Sequence, residues 1–301
     1  APGLPPAKVV EAAGDIPNYL PSEKWGSQGE PYRTMPAPLD PAESLKHLIA
    51  PKGFEPSLFA AEPAIARPIC ATWDHQGRLW IVESFDYPNT KQSRGETGRD
   101  RIKICEDRDG DGKAETFTVF AEGLNIPTSL CCYNGGVIIL QATDTLFLKD
   151  TDGDGKADVR KVLFTGWGTS DTHAGPSNLR YGLDGWIYGM VGYSAFKGVV
   201  GGEDLNFSQG IYRFKPDGSK LEFLRSTSNN SWGLGFSEEG LIFASTANGC
   251  PSVFLGVPNR YYESVRGWSP AVLRMIAATN NIYPETDKVR QVDHHGGFTA
   301  A

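Results

Sequence analysis

The chain has 301 residues, a net charge of −7 and 40% hydrophobic residues, a composition typical of a globular protein with a buried core. Its 29 Lys and Arg residues form no dense basic block, which argues against a nucleic-acid partner. No apolar run approaches the roughly 20 residues of a membrane span. The 35 glycines, 21 prolines and 11% aromatic residues favour short strands joined by many turns.

The N-terminal part is rich in proline. Nine of the 21 prolines lie in the first 41 residues, so residues 1–50 are interpreted as a leader that ends in a short helix. Asp40 is the expected N-cap of a helix extending to Ile49, because Pro41 stands at the first helical position and Glu43 lies three residues after Asp40. Residues 51–301 are assigned to a second, all-β unit.

The all-β unit repeats. A glycine followed by an apolar quartet recurs about every 55 residues, at Gly77, Gly136, Gly185, Gly240 and Gly297. Another apolar strand precedes each of the first four quartets. Two more strands follow each of the first three quartets. Four strands per repeat at this interval are typical of a β-propeller blade. Since a fourth repeat begins near Ser231 and a fifth only starts, the sequence predicts an incomplete β-propeller that continues beyond this segment.

Two acidic loops carry the strongest chemical signal. They place carboxylates at positions 1, 3, 5 and 9, glycine at position 6 and a backbone carbonyl at position 7, as calcium loops do. The predicted ligands are Asp107, Asp109, Asp111, Lys113 and Glu115 in the first loop, and Asp150, Asp152, Asp154, Lys156 and Asp158 in the second. Thr118 and Lys161 replace the glutamate at position 12 of an EF-hand. We therefore predict two structural calcium sites, with an acidic turn that binds no metal as the alternative.

The third repeat shows where these loops lie. A tight turn at residues 215–219 replaces the acidic loop between its last two strands. Antiparallel connectivity places those turns on one face of the propeller. The longer connections, residues 84–100, 166–176, 193–209 and 246–290, lie on the other face. Function concentrates on such connections, which makes that face the candidate active face.

His173 is the candidate catalytic residue on that face. It lies just before the innermost strand of the third repeat, and a neutral imidazole there can act as a general base. Asp171 is expected to orient it; a histidine that only satisfies loop backbone is the alternative. Arg94 and Arg99 can meet a carboxylate or a quinone, or can simply be solvated, and Trp167 is placed on the same face.

The five cysteines are too few and too scattered for a disulfide framework, and this stretch contains no CxxC or CxxCH motif. Cys131 and Cys132 are expected to be two small residues in a buried strand, with a vicinal disulfide as the alternative. The run of Asp293, His294 and His295 leaves metal ligation and a structural role open.

The segment from His173 to Tyr188 resembles the soluble quinoprotein glucose dehydrogenase family. The resemblance implies a six-bladed propeller in which the histidine takes the hydroxyl proton of a sugar while hydride passes to pyrroloquinoline quinone. In that family an Arg-Asn pair contacts the quinone. The matching residues here are Asn229 and Asn230, so the asparagine is retained and the arginine is not.

Further segments are similar to bacterial proteins known as membrane-bound dehydrogenases, among them residues 77–80, 99–104, 169–175, 223–230 and 258–262. This resemblance implies export to the periplasm or secretion. It also implies a downstream CxxCH haem domain that accepts electrons.

The leading hypothesis is an exported propeller dehydrogenase that oxidises an alcohol or sugar hydroxyl, with a small-molecule substrate and electron transfer to a quinone and haem chain. The alternative is a non-catalytic, calcium-stabilised propeller that binds carbohydrate or a protein partner. A hydrolase-type propeller with catalytic calcium is a third reading, in which the ligands are Asn125, Asp144, Asn178 and Asn230.

Overall fold

The structure, a computed structural model, describes residues 40–46, 48, 53–87, 97–247, 252–262, 264–268 and 273–276. The predictions for residues 1–39, Arg94, residues 293–295 and the strand after Gly297 lie outside these residues. Among the described helices, none is long and apolar enough to cross a membrane.

The predicted helix exists and is shorter than expected. Helix α1 spans Pro41–Leu45, and the Asp40 carboxylate accepts a hydrogen bond from the Ala42 N–H at 2.9 Å, which confirms the N-cap. The helix buries none of its residues. Because short helices depend on a packed apolar face, its extension to Ile49 was wrong.

Four antiparallel sheets are arranged as the blades of a β-propeller, as the repeat predicted. The first contains β1 (Pro68–Trp73), β2 (Leu79–Glu83), β3 (Asp100–Glu106) and β4 (Thr116–Leu124); the second contains β5 (Pro127–Tyr133), β6 (Gly136–Gln141), β7 (Asp144–Lys149) and β8 (Val159–Thr165). The third contains β9 (Pro176–Tyr181), β10 (Ile187–Val191), β13 (Gly210–Phe214) and β14 (Leu221–Ser226). The first strands of successive blades contact one another, which places them innermost.

The fourth blade is more complete than the sequence indicated. It contains β15 (Ser231–Phe236), β16 (Ile242–Thr246), β17 (Val253–Leu255) and β18 (Leu273–Met275). Residues 246–290 were expected to be one long connection, which was wrong. The last two strands have only three residues each, too few for an alternating pattern to appear.

The core lies between the blades. The second strands of the first three blades are almost wholly buried, because each packs against a neighbouring blade or sheet on both of its faces. Their consecutive apolar residues are the quartets that follow Gly77, Gly136 and Gly185. Cys131 is a free thiol in this core, and burial raises its pKa to about 12. Cys132, the next residue of β5, is also free.

A β-hairpin occupies the segment 193–209, which was expected to be a loop. Strands β11 (Phe196–Val200) and β12 (Glu203–Phe207) are joined by Gly201 and Gly202, with φ of 61° and 84°. A Gly-Gly pair in that conformation forms a two-residue hairpin turn, so the Gly-Gly pair is a local sequence signal for this hairpin. The hairpin covers Trp167, whose ring centroid lies 4.8 Å from that of Phe196. Trp167 is only 2% exposed, so its placement on the active face was wrong.

Candidate functional site

The first acidic loop joins β3 to β4. The Asp107 carboxylate accepts hydrogen bonds from the N–H groups of Gly110 at 2.7 Å and Gly112 at 2.9 Å. Both glycines have positive φ, 79° and 88°, which lets the chain wrap around the carboxylate. One oxygen from each of four side chains lies within 4.8 Å of the others, and these side chains are Asp107, Asp109, Asp111 and Glu115.

The second loop, between β7 and β8, repeats this geometry. The Asp150 carboxylate accepts from the N–H groups of Gly153 at 2.7 Å and Gly155 at 2.8 Å, and these bonds hold its pKa below the usual value. Asp158 accepts from the Thr151 N–H at 3.0 Å and the Thr151 hydroxyl, and the hydroxyl bond is the main cause of its lowered pKa. The cluster within 4.8 Å here contains Asp150, Asp152 and Asp154.

The two lysines take equivalent places. The Lys113 N–H donates to Asp111 Oδ1 at 2.8 Å, and the Lys156 N–H donates to Asp154 Oδ1 at 2.7 Å. Their predicted contribution to the metal is the backbone carbonyl. The matching hydrogen bonds show that both loops have the same backbone conformation here.

Each loop is also bonded to the segment before its blade. The Ala114 N–H donates to the Phe59 carbonyl at 2.9 Å, and the Ala157 N–H donates to the Phe120 carbonyl of β4 at 2.8 Å. The second loop therefore links the first two blades. Both loops lie at the ends of the strands opposite to the His173 segment, because each joins a third strand to a fourth.

His173 and Asp171 lie together. The His173 backbone N–H donates to Asp171 Oδ1 at 2.9 Å, and His173 Nδ1 lies 3.3 Å from the same oxygen. The backbone bond closes a two-residue turn, which brings the carboxylate to the side of the imidazole. The side chain of His173 is 64% exposed and that of Asp171 is 41% exposed. The imidazole is therefore accessible to a ligand.

Two other connections meet this loop. The Tyr87 ring lies edge-on to the imidazole, with centroids 5.2 Å apart. Burial, and then the nearby charge of Asp171, raise the pKa of Tyr87. From the third blade, the Ser194 N–H donates to the Ala174 carbonyl at 3.1 Å, and its hydroxyl donates to the Asp171 carbonyl at 2.5 Å. Tyr87 was not identified from the sequence, where nothing connects it to a histidine 86 positions later.

A small cavity of about 20 Å³ lies beside Asp171. Its lining includes Ile126, Thr128, Ala142, Gly168 and Pro176. This volume holds about one water molecule and excludes a sugar ring.

The residues matched to the quinone site are Asn229 and Asn230, which lie just before β15. The Tyr193 hydroxyl donates to Asn229 Oδ1 at 2.5 Å, and the Asn230 N–H donates to the same oxygen at 2.7 Å. Asn230 Oδ1 is buried and has no hydrogen-bond partner among the described residues. A Cβ on Gly192 would lie 2.2 Å from this oxygen, so glycine is required there.

The described residues do not fit pyrroloquinoline quinone. Its three carboxylates call for cations, and the arginine of the quinoprotein pair is Asn229 here. Arg99 Nε lies 2.5 Å from Asp86 Oδ1, and its Nη2 donates to the Phe85 carbonyl at 3.1 Å. Arg99 is thus paired within its own blade, and Arg94 lies outside the described residues.

A larger cleft opens on the opposite face, between the first turns of the third and fourth blades. Its volume is about 710 Å³. It is lined by Tyr181, Leu183, Asp184, Tyr188, Phe236, Glu238 and Glu239. Tyr181 is 50% exposed and Leu183 is 90% exposed, so an apolar surface borders three carboxylates.

A family described as "Domain of unknown function (DUF7133)" matches residues 40–301. No curated protein matches the chain. Among solved structures, it is similar to the PQQ-bound aldose sugar dehydrogenase of Streptomyces coelicolor, with 15% identity and a TM-score of 0.45 over 64% of this chain and 60% of that one. The holo PQQ domain of pyranose dehydrogenase from Coprinopsis cinerea gives 15% identity and a TM-score of 0.43, with 62% and 45% covered.

A structure of a nidogen/laminin complex is also similar, with 15% identity and a TM-score of 0.47 over 68% of this chain and 66% of that one. The chain therefore spans less than two thirds of the length of these structures. At these identities the likenesses assign no activity to the chain.

Proposed function

The chain belongs to the DUF7133 family, and from the geometry around His173 we propose that it is the propeller part of an exported dehydrogenase that oxidises an alcohol or sugar hydroxyl. The observation that supports this proposal is the pairing of His173 with Asp171 on an accessible loop. A histidine oriented by a carboxylate is the usual arrangement of a general base.

The proposed roles follow from the two ring nitrogens. Since Nδ1 faces the Asp171 carboxylate, Nε2 is the nitrogen that takes the hydroxyl proton. The Asp171 charge then stabilises the imidazolium that forms. The carbon that bears the hydroxyl loses a hydride, which carries two electrons, and the product is a carbonyl.

We propose the acceptor of those electrons only by its chemical class. The described residues do not fit pyrroloquinoline quinone, so no step is routed through it. We propose that the hydride is taken by a two-electron redox cofactor held outside the described residues, that its proton is released to water, and that its two electrons pass one at a time to the c-type haem domain that the family resemblance implies. The periplasm or the exterior of the cell is the proposed location.

The two acidic loops are proposed to bind structural calcium. Both gather carboxylate oxygens within 4.8 Å, which is close enough for one cation to contact several of them. The second loop bonds to β4 of the preceding blade, so an ion there stabilises the contact between two blades. Neither loop lies on the His173 face. In this proposal the ions therefore stabilise the blades and take no part in the reaction.

The test is His173→Ala, assayed by dye-linked oxidation of a panel of sugars and alcohols. Loss of a general base is expected to lower kcat by about 10²–10⁴-fold. His75→Ala is the matched control, because His75 is exposed in the β1–β2 turn on the opposite face. Unchanged turnover in the His173 variant would remove this histidine from the mechanism. Absence of oxidation by the wild-type chain with every substrate and dye would contradict the dehydrogenase itself.

The difference in volume between the two clefts favours a second candidate function. The cleft of about 710 Å³ on the opposite face has room for a sugar ring, and the cavity of about 20 Å³ beside Asp171 does not. In this reading the chain is a non-catalytic propeller that binds carbohydrate on Tyr181. Calorimetric titration with neutral oligosaccharides separates the two, because Tyr181→Ala then abolishes binding and His173→Ala does not.

A further inference from the structure

We propose that Asp100 is the positioning residue of the His173 site. This inference rests on the proposed function for its catalytic consequence. Asp100 is the first residue of β3, and its carboxylate is completely buried. None of its hydrogen bonds described below involves His173, so its effect passes through the two backbone segments that it holds.

The Asp100 carboxylate is an acceptor for several donors at once. Its Oδ1 accepts from the N–H groups of Phe85 and Asp86, the latter at 2.9 Å. Its Oδ2 accepts from the Ile126 N–H at 2.9 Å and lies 3.4 Å from the Ser84 hydroxyl. An ionised carboxylate suits this place because it accepts at both oxygens and presents no N–H group to the three amides.

The first segment carries Tyr87. Asp86 is 2% exposed, and besides its bond to Asp100 its carboxylate accepts from the Arg99 N–H at 2.7 Å. Gly98 also packs against this carboxylate, since a Cβ there would lie 3.0 Å from Asp86 Oδ2. Residues 84–87 are therefore fixed against the start of β3. Tyr87 follows Asp86 directly, so the fixed backbone of this segment places the Tyr87 ring against the imidazole.

The second segment carries Ile126. Its φ is 47°, a conformation that β-branched residues rarely adopt. The N–H bond to Asp100 supports this unusual conformation, and Ile126 lines the small cavity beside Asp171. One carboxylate thus holds both sides of the loop that carries the His173–Asp171 pair: the Tyr87 side and the cavity side.

The test compares Asp100→Asn with Asp74→Asn in the full chain. Asp74 is a matched control because its Oδ1 accepts from the N–H groups of Gln76 at 2.9 Å and Arg78 at 3.0 Å, at the other end of the same blade. The readouts are amide hydrogen exchange and the NMR shifts of the His173 ring protons. The Tyr87 ring current contributes to those shifts, and Tyr87→Leu provides the reference for its loss.

Asp100→Asn is expected to speed exchange at Phe85, Asp86 and Ile126 at least about tenfold, since an amide leaves some of these donors unpaired. It is also expected to move the His173 resonances in the direction seen in Tyr87→Leu. Asp74→Asn should change neither readout. Wild-type His173 resonances in Asp100→Asn would overturn the inference. If Asp100→Asn does not fold, Asp100→Glu keeps the charge but displaces it, and the same criteria decide.

Activity separates this inference from the proposed function. If the wild-type chain oxidises a hydroxyl substrate, Asp100→Asn should lower kcat by about 10–100-fold with a smaller change in KM, because the base is misplaced rather than the substrate lost. Wild-type kcat in that variant would refute the positioning role. If the wild-type chain is inactive, the proposed function fails, and the resonance shifts still decide whether Asp100 positions the loop.

Discussion

Removal of calcium is expected to lower the melting temperature of this protein. The two acidic loops gather carboxylates within 4.8 Å of one another. The backbone N–H bonds to Asp107 and Asp150 hold the loops in this shape and offset only part of the repulsion between like charges. A bound cation neutralises that repulsion in the folded state, and the unfolded chain has no preformed site. Binding therefore stabilises the fold.

The expected shift follows from this linkage. A ligand at 100 times its dissociation constant stabilises the folded state by about 2.7 kcal/mol, so two independent ions contribute about 5 kcal/mol. For a protein of this size, about 1 kcal/mol changes the melting temperature by about 1.5–2 °C. Chelation is thus expected to lower the melting temperature by about 8–10 °C when the calcium concentration before chelation saturates both loops.

Scanning calorimetry with calcium and with EDTA measures the shift. Asp109→Asn and Asp152→Asn each remove one charge, while the amide oxygen can still accept the turn bond that the aspartate accepts at 3.1 or 3.2 Å. Each is expected to reduce the calcium-dependent shift by about half. Asp217→Asn is the control, because Asp217 makes the same kind of bond, to the Ser219 N–H at 2.9 Å, in the plain turn of the third blade. Equal melting temperatures with and without calcium would refute the reasoning.

Two further predictions concern the fold. Phe196 is fully buried in the hairpin, so Phe196→Ala should lower the free energy of unfolding by about 3–5 kcal/mol, and the exposed Val199 provides the control Val199→Ala in urea denaturation. Equal effects of the two would contradict the packing of the hairpin. Burial raises the pKa of Glu222, but hydrogen bonds from Arg213 and Lys220 outweigh it, so the pKa is lowered. Its contribution is therefore present above about pH 4.5 and lost as the pH falls through the folded value, so the stability difference between wild type and Glu222→Gln should shrink toward pH 3. A difference that is independent of pH would contradict this.

Much of the blade architecture could be predicted because it depends on local patterns. Residues 137–140 form a continuous apolar run because both faces of β6 are covered, and the same reason applies to the second strands of the neighbouring blades. The Asp40 cap and the glycines of the acidic loops could also be predicted, since each depends on a turn or a hydrogen bond within a few residues. The position of the acidic loops within the blades followed from strand order alone.

Contacts between distant segments could not be predicted in this way. From its neighbours in the sequence, Trp167 was predicted to be an exposed loop residue. In the structure β11 and β12 fold over it, and Trp167 is buried with rings from several strands. The three-residue strands β17 and β18 gain their regular structure from pairing with β16 and with each other. Their own sequences are too short to indicate strands.

The same division applies to the candidate site. The strand repeat, the two acidic loops and the closeness of Asp171 and His173 along the chain could be recognised without a structure, because strand periodicity, turn geometry and a two-residue separation are properties of neighbouring residues. The contact of Tyr87 with His173, and the hydrogen bonds of Asp100 to segments on both sides of it, exist only once the blades have packed. These contacts arise when separate blades pack around a common axis, and a single sequence carries no local signal of which distant residues then meet.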